Sequence, residues 1–480
     1  MKSLRHKAFA ATSAAALFAG MAVTAGFAVP AAAAGPDTTY LVLAPGNSTN
    51  QAAKRVAAAN GTVVADYGQI GVLVVRSTNP SFSIQVKGGG VQSVASTEGL
   101  GAQLDEGETV EVDAAALAQA AGDPTAEPMY AQQWDMDQID VPQAHQVTTG
   151  SANVVVGVLD SGISSSHPDL ATQIDKSRSV SCLNGVRDTA EAAWNPTTSD
   201  HGTHVAGTIA AAINGVGVTG VAPGVKVAAV KVVDDEGMIY PEAAVCAFLW
   251  AAETGIQITN NSYYIDPWQF NCRNNPEQRA VWQAVQRAIR YSANGGVLHF
   301  ASAGNSNVDL QHKNNDSDGE ITNACLVLPA EAPGVVTVGA TGPTRQKSYY
   351  SSYGQGVVEV TAPGGDTRFR TEGASSTSTD GILSTTFNTS TRTNGWGYKQ
   401  GTSMSSPHAA GVAALALSAH PGLQPGALKS FMQRTAEPLA CPAGVYNPVP
   451  LLSGYEANCY GGKVNGFYGH GEVNAYNAVK

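Results

Sequence analysis

The sequence predicts an α/β fold on a mostly parallel sheet, preceded by a small α+β unit, and three observations carry that prediction. Beyond residue 126, apolar β-branched runs recur at Val154 to Leu159, Val225 to Val233, Ile256 to Thr259, Gly296 to Ala301, Val335 to Gly339 and Val357 to Thr361. Helix-sized stretches separate these runs, as expected of strands covered on both faces by crossover helices. Before residue 102 the apolar runs are shorter and read as short strands set around a helix, a compact α/β unit.

From the N-terminus, Lys2, Arg5 and Lys7 precede an alanine-rich apolar stretch from Ala8 to Val29, and Ala32-Ala33-Ala34 supplies small residues for cleavage. Residues 1–34 therefore read as a secretory signal. An anchoring helix is the rival, since the stretch is long enough to span, but no other run approaches the roughly 18 apolar residues of a membrane helix. A compact unit follows from Thr39 to about Gly101, with strands at Tyr40 to Leu43, Val63 to Asp66, Val72 to Arg76 and Val91 to Ala95, and a helix at Gln51 to Ala59. The acidic segment Asp105 to Asp113 and Gly122-Asp123-Pro124 read as a linker. The chain thus divides into 1–34, 35–125 and 126–480. Ser375 to Thr379 and Thr385 to Thr393, rich in Ser and Thr, are expected to be surface loops.

The chain has 480 residues, and Lys+Arg 27 against Asp+Glu 38 leaves a formal net charge of -11. No basic face is advertised, so nucleic acid is not an expected partner. An apolar content of 43% with only 14% charged residues describes a globular chain and not a disordered one. Six cysteines, Cys182, Cys246, Cys272, Cys325, Cys441 and Cys459, suit up to three disulfides in an exported protein. Their spacing matches no paired C-x2-C zinc pattern. The pairing is open, with the local pair Cys441 and Cys459 favoured and buried free thiols as the alternative.

Three segments interrupt apolar or small-residue runs with polar groups. The strand Val154 to Leu159 ends in Asp160, a carboxylate that burial penalises unless a donor or cation faces it; a capping aspartate is the bland alternative. Asp200-His201-Gly202-Thr203-His204 opens a helix whose small residues suit close approach to another backbone. His201 and His204, three apart, also suggest a zinc site, although the HExxH pattern with its general-base glutamate is absent. Gly401-Thr402-Ser403-Met404-Ser405-Ser406-Pro407-His408 opens a second helix, with Pro407 tolerable in its first turns. A serine there is ordinarily a cap, but beside a histidine its own N–H and the helix dipole would face a developing oxyanion.

In that chain order, the Asp160, His201 and Ser403 segments resemble those of the subtilisin-like serine peptidases, the subtilases. The similarity runs on through Gly220-Val221-Ala222-Pro223, Ala303-Gly304-Asn305, Tyr350-Ser351-Ser352-Tyr353-Gly354 and Ala362-Pro363-Gly364, and Gly469 to Ala475 looks like the family's closing segment. The resemblance implies a three-layer subtilisin-like fold. It also implies that Ser403 attacks the scissile carbonyl, His201 takes and returns its proton, Asp160 orients the imidazole, and Asn305 helps bind the oxyanion.

By the same resemblance, Gly237-Met238-Ile239 and Asn260-Asn261-Ser262 would clamp an extended polypeptide by main-chain pairing. Tyr263-Tyr264 stand where the family commonly has an apolar residue and a glycine, so a reshaped pocket entrance is expected. Asp169 and Asn214 match positions of a structural Ca2+ site, with Gln132 or Gln133 as a further ligand. The unit at about 39–101 resembles the ferredoxin-like inhibitor propeptides of the family. It would fold the catalytic unit and inhibit it, with self-cleavage between Gly101 and Pro128. A secreted, monomeric serine endopeptidase without stable membrane association is the expectation. The alternatives are a zinc-dependent hydrolase using His201, His204 and Asp160, a catalytically silent binding protein of the same fold, and an extracellular structural protein.

Overall fold

A computed structural model describes residues 35–98, 110–112, 124–265, 270–313, 321–367, 379–450 and 453–480. The expected signal at 1–34, most of the linker and 375–378 of the first Ser/Thr-rich stretch lie outside these residues.

The N-terminal unit comprises β1 (Thr38–Leu43), α1 (Asn50–Ala58), β2 (Thr62–Tyr67), β3 (Val72–Ser77), α2 (Phe82–Gln85) and β4 (Ser93–Ser96). Its sheet has the order β2-β3-β1-β4 with antiparallel neighbours, the ferredoxin-like arrangement. Alternation along the pleat gives it two apolar faces. Tyr40, Val42, Leu73 and Val75 pack on Ala52 and Val56 of α1 and on Phe82. Leu41, Leu43, Val72 and Val74 point the other way, into the core of the larger unit.

A short strand, β5 (Val110–Val112), leads to the larger unit. This begins with α3 (Trp134–Gln138), α4 (Val141–His145), β6 (Val155–Asp160), β7 (Val180–Ser181), α5 (Glu191–Trp194), α6 (His201–Ala210) and β8 (Lys226–Lys231). It continues with α7 (Pro241–Glu253), β9 (Ile258–Asn261), β10 (Asn271–Cys272), α8 (Pro276–Asn294), β11 (Leu298–Ser302) and β12 (Cys325–Leu326). It ends with β13 (Val335–Thr341), β14 (Val360–Pro363), β15 (Ile382–Asn388), β16 (Thr393–Lys399), α9 (Thr402–Ala419), α10 (Pro425–Thr435) and α11 (Ala475–Val479).

All six apolar runs enter one seven-stranded parallel sheet of order β14-β13-β11-β9-β6-β8-β7. One face is covered by α6 and α9, whose Val205, Ile209, Val412 and Leu415 meet Val156, Val158, Phe300 and Val338. The other carries α7 and α8, with Phe248 and Val285 among Val155, Ala228 and Val230. The N-terminal sheet seats on that second helical layer. Arg287 of α8 donates through Nη1 to the carbonyls of Ala44, Ile70 and Gly71 at 3.0, 3.1 and 3.2 Å.

One expected loop is a strand instead. Thr385 lies in β15, and Thr393 opens β16, the antiparallel partner of β15. β-Branched threonines suit a pleated surface, and here they also bond: Thr385 Oγ1 donates to Thr203 O and Ser384 Oγ to His204 O, both at 2.7 Å. The hairpin thus buttresses α6, and β5 adds to its outer edge along β16. All six cysteines are paired, as Cys182–Cys246, Cys272–Cys325 and Cys441–Cys459. Among the described residues no helix is long and apolar enough to cross a membrane.

Candidate active site

The site is assembled at the carboxyl ends of adjacent strands, where open α/β sheets gather ligands. Asp160 ends β6; Ser262 follows β9, and Leu159 opposes Asn261 in register. Asp160 and Ser262 therefore leave neighbouring strands about 4.8 Å apart. Asn305 lies just beyond β11, the other neighbour of β9.

His201, the first residue of α6, is buried with its Nδ1 2.8 Å from Asp160 Oδ1 and 3.0 Å from Oδ2. A ring nitrogen facing a carboxylate carries the proton, which leaves Nε2 as the basic nitrogen. The approach depends on Gly202: a Cβ there would overlap Gly162 O and crowd Asp160. Ser161 Oγ accepts from Gly202 N at 3.0 Å, and Asp160 Oδ1 accepts from Ser161 N at 2.7 Å. Asp200, immediately before His201, is held by Lys399 of the hairpin with Nζ 2.9 Å from Oδ1. Burial alone would raise the Asp200 acid, but the Lys399 charge and the Phe387 N–H hold it below its usual value.

His204 is not arranged as a zinc ligand. Its Nε2 faces the carbonyls of Ile382 and Gly397, both at 3.1 Å, and so must donate. Burial pushes its pKa down to about 3, leaving a neutral ring that ties α6 to both hairpin strands. Among the described residues no group of three or more His, Cys, Asp or Glu side chains could hold a metal ion.

Ser403 sits in the first turn of α9, with Oγ donating to Ser262 O at 3.2 Å. Pro407 lies four residues on and has no N–H, so the carbonyl of Ser403 receives no helical bond from it. Ser262 Oγ donates to that carbonyl at 2.8 Å. The Pro407 expected from the sequence to be merely tolerable therefore opens an acceptor that latches α9 to the end of β9. Asn305 Oδ1 accepts from Thr402 N at 2.9 Å and from Thr402 Oγ1 at 2.8 Å. Both bonds pin the amide oxygen, leaving Nδ2 as the donor.

A cavity of about 150 Å³ opens beside Ser403, lined by Ser262, Tyr264, Phe270, Asn305, Val308 and Leu310 among others. Tyr263 and Tyr264 both form part of the cavity wall, and Tyr263 also donates to Asn261 Oδ1 at 3.0 Å.

The expected substrate clamps are corrected in two places. Asn260 and Asn261 are not at an edge. They lie inside β9, paired to Val158 and Leu159 on one side and to Phe300 and Ala301 on the other. Their main chain is committed to the sheet, so the segment open to an extended peptide starts at Ser262. Gly237-Met238-Ile239 is a turn and not a strand. Asp234 N donates to Met238 O at 3.0 Å, Met238 N donates to Asp234 Oδ1 at 2.8 Å, and Ile239 bridges back to Val233.

Asp169 and Asn214 do come together, with Asn214 Nδ2 3.2 Å from Asp169 Oδ1. Asp169 is fully buried, and burial pushes its carboxyl up to about 7 against the bonds from Trp396, Val218 and Asn214. The surrounding donors do not suit Ca2+, because N–H groups rather than carbonyls face these oxygens.

The sequence signature of the Subtilase family matches residues 151–471. The chain belongs to the subtilase family of serine peptidases. It is 31% identical to subtilisin E of Bacillus subtilis (strain 168) over 309 residues, covering 64% of this chain and 67% of that protein. Fervidolysin of Fervidobacterium pennivorans is 29% identical over 312 residues, and this chain matches 40% of its length. Among solved structures, the epidermin leader peptide processing serine protease of Staphylococcus aureus has a TM-score of 0.69 at 22% identity, covering 92% of this chain and 98% of that one.

Proposed function

We propose that this chain is a secreted serine endopeptidase, made as a zymogen, that cleaves extended polypeptides through an acyl-enzyme. The observation that carries the reading is the buried His201–Asp160 pair, latched through neighbouring strand ends to the helix whose first turn carries Ser403. Ser403 Oγ leaves Ser262 O, bonds to the scissile carbonyl carbon and gives its proton to His201 Nε2. Asp160 stays ionised and stabilises the imidazolium. The Ser403 N–H and Asn305 Nδ2 receive the oxyanion, in a site where losing one donor typically costs about 10²- to 10³-fold in rate. Collapse breaks the C–N bond, His201 protonates the departing amine, and water then repeats the sequence to free the enzyme. The substrate chain passes Ser262 and places one side chain in the adjacent cavity.

The N-terminal unit fits an intramolecular inhibitor and folding template because it shares a core with α7 and α8, and parallel sheets fold slowly without help. Self-cleavage between residues 101 and 128 separates it from a monomeric mature enzyme. Export rests on the signal at 1–34.

Intact mass and N-terminal sequencing of secreted wild type beside Ser403→Ala test this reading. Wild type is expected to lose the N-terminal unit, to digest labelled casein and to be silenced by a serine-directed phosphonyl fluoride; Ser403→Ala keeps its unit. Asp160→Asn should retain the fold and lose about 10⁴-fold in kcat. Activity abolished only by a zinc chelator would instead support the metal reading, and the same processed form from Ser403→Ala would assign processing to another protease.

A further inference from the structure

The loop after α6 carries Asn214, an expected Ca2+ ligand, yet its donors point the wrong way for a cation. A hard cation is held by oxygens, including main-chain carbonyls turned toward it. Between residues 215 and 219 it is the amide N–H groups that converge on the side-chain oxygens. Gly215 N donates to Glu127 Oε1 at 2.9 Å, Val216 N to Asn214 Oδ1 at 2.9 Å, Val218 N to Asp169 Oδ2 at 3.2 Å and Thr219 N to Gln133 Oε1 at 3.0 Å. Gln132 Oε1 accepts from Tyr398 OH at 3.0 Å. The carbonyl of Gly217 accepts from Met129 N at 2.9 Å.

The bond from Val216 N also fixes the Asn214 amide. With Oδ1 on that N–H, Nδ2 is the group that meets Pro168 O and Asp169 Oδ1, both at 3.2 Å. Asn214 therefore brings a donor to Asp169 where a cation would require an oxygen.

The remaining donor comes from the hairpin. Trp396 Nε1 lies 2.7 Å from Asp169 Oδ2. Gly217, at φ +64°, admits the indole, because a Cβ there would overlap it. His167 holds the tryptophan in place: its Nε2 donates to Gly395 O at 2.9 Å, its Nδ1 accepts from Asp169 N at 3.1 Å, and its ring meets the indole edge-on at 5.4 Å.

We propose that Asp169 in this chain is not a cation ligand, and that the indole N–H of Trp396, with the N–H groups of Asn214 and Val218, takes the part a bound calcium would otherwise play in holding the 214–219 loop to the segment around Asp169. The hairpin is thereby a built-in substitute for the ion, so this loop stays ordered without calcium.

The test uses the full chain carrying Ser403→Ala, which prevents self-digestion and keeps the outcome independent of the peptidase reading. After EDTA treatment, calcium is titrated while the unfolding midpoint is followed, with and without Asn214→Ala. The proposal expects the same calcium response in both, whatever other sites contribute. Terbium emission excited through tryptophan is compared with and without Trp396→Phe, and no emission specific to Trp396 is expected. Trp396→Phe keeps the ring and removes the N–H; it should lower the midpoint by roughly 1–3 °C, equally with and without calcium. A calcium-induced rise that disappears in Asn214→Ala, or calcium-displaceable terbium emission that disappears in Trp396→Phe, overturns the proposal.

Discussion

Thr97 Oγ1 donates to Glu242 Oε1 at 3.2 Å, so a carboxyl rooted in the first turn of α7 is closed over by the segment that leaves β4 of the N-terminal unit. Burial pushes the Glu242 acid up to about 7, against its own backbone N–H, Thr97 and the charge of Arg76, while Glu98 adds to the rise. The docked state therefore prefers the protonated acid. The stabilisation is complete below the ordinary carboxylate range and is lost as pH rises through about 7. On the proposed reading, the cleaved N-terminal unit should leave faster at pH 8 than at pH 5, by roughly tenfold for each unit that separates the docked and free acids. Co-purification of the two fragments across pH measures it. Glu242→Gln should flatten the profile, and a wild-type profile already flat would dismiss Glu242 as its source.

Ser262 is expected to matter through its hydroxyl as well as its carbonyl. Ser262→Ala leaves the Ser403 carbonyl, already without a bond from Pro407, lacking its donor in a buried place. An orphaned buried acceptor costs about 1–3 kcal/mol. Thermal unfolding of the Ser403→Ala chain with and without Ser262→Ala reads that cost, and Ser262→Thr should recover most of it.

The Lys399–Asp200 pair is buried at both ends, with side-chain exposures of 1% and 13%. Removing one member of such a pair typically costs 3–5 kcal/mol, roughly, because the other charge is left uncompensated. Lys399→Met should therefore be markedly less stable than wild type, while the double variant Asp200→Asn/Lys399→Met regains part of the loss. A double variant as unstable as the sum of the singles would show that the pairing is not the reason for either effect.

Tyr264 forms part of the wall of the cavity beside Ser403. Tyr264→Gly should widen the set of accepted side chains, raising kcat/KM for peptides with the bulkiest residue before the cleaved bond relative to those with leucine there. A peptide series at fixed sequence elsewhere checks this, and an unchanged ranking would place that side chain outside the cavity.

The parallel sheet was legible in the sequence because strands buried on both faces are written as unbroken apolar runs, and all six proved to be neighbours. The N-terminal strands were legible as short apolar runs set around a helix. The three residues proposed as a triad were legible as motifs in order, Asp160 at the end of β6 and His201 and Ser403 in the first turns of α6 and α9. Thr385 to Thr393 misled in part: residues 389–392 do form a surface turn, but Thr385 lies in β15 and its hydroxyl serves a carbonyl of α6. Asn260 and Asn261 misled because nothing local says which strand lies at an edge. The loop at 214–219 offered Asn214 as an expected ligand while the orientation of its amides was invisible. Trp396, which decides that matter, lies 227 residues from Asp169 in the chain. A tryptophan between Gly395 and Gly397 was the only local hint.

The sheet of the N-terminal unit packs one face on its own helices and the other on α7 and α8, with its outer strand β2 partly open to solvent. Once parted from its seat, it would turn Leu41, Leu43, Val72 and Val74 to water, with nothing of its own to cover them. On the proposed reading, such a fragment would be poorly soluble and open to digestion by the protease it has just left. Activation would then run in one direction only, because the restraint would be consumed on release and could not be reapplied.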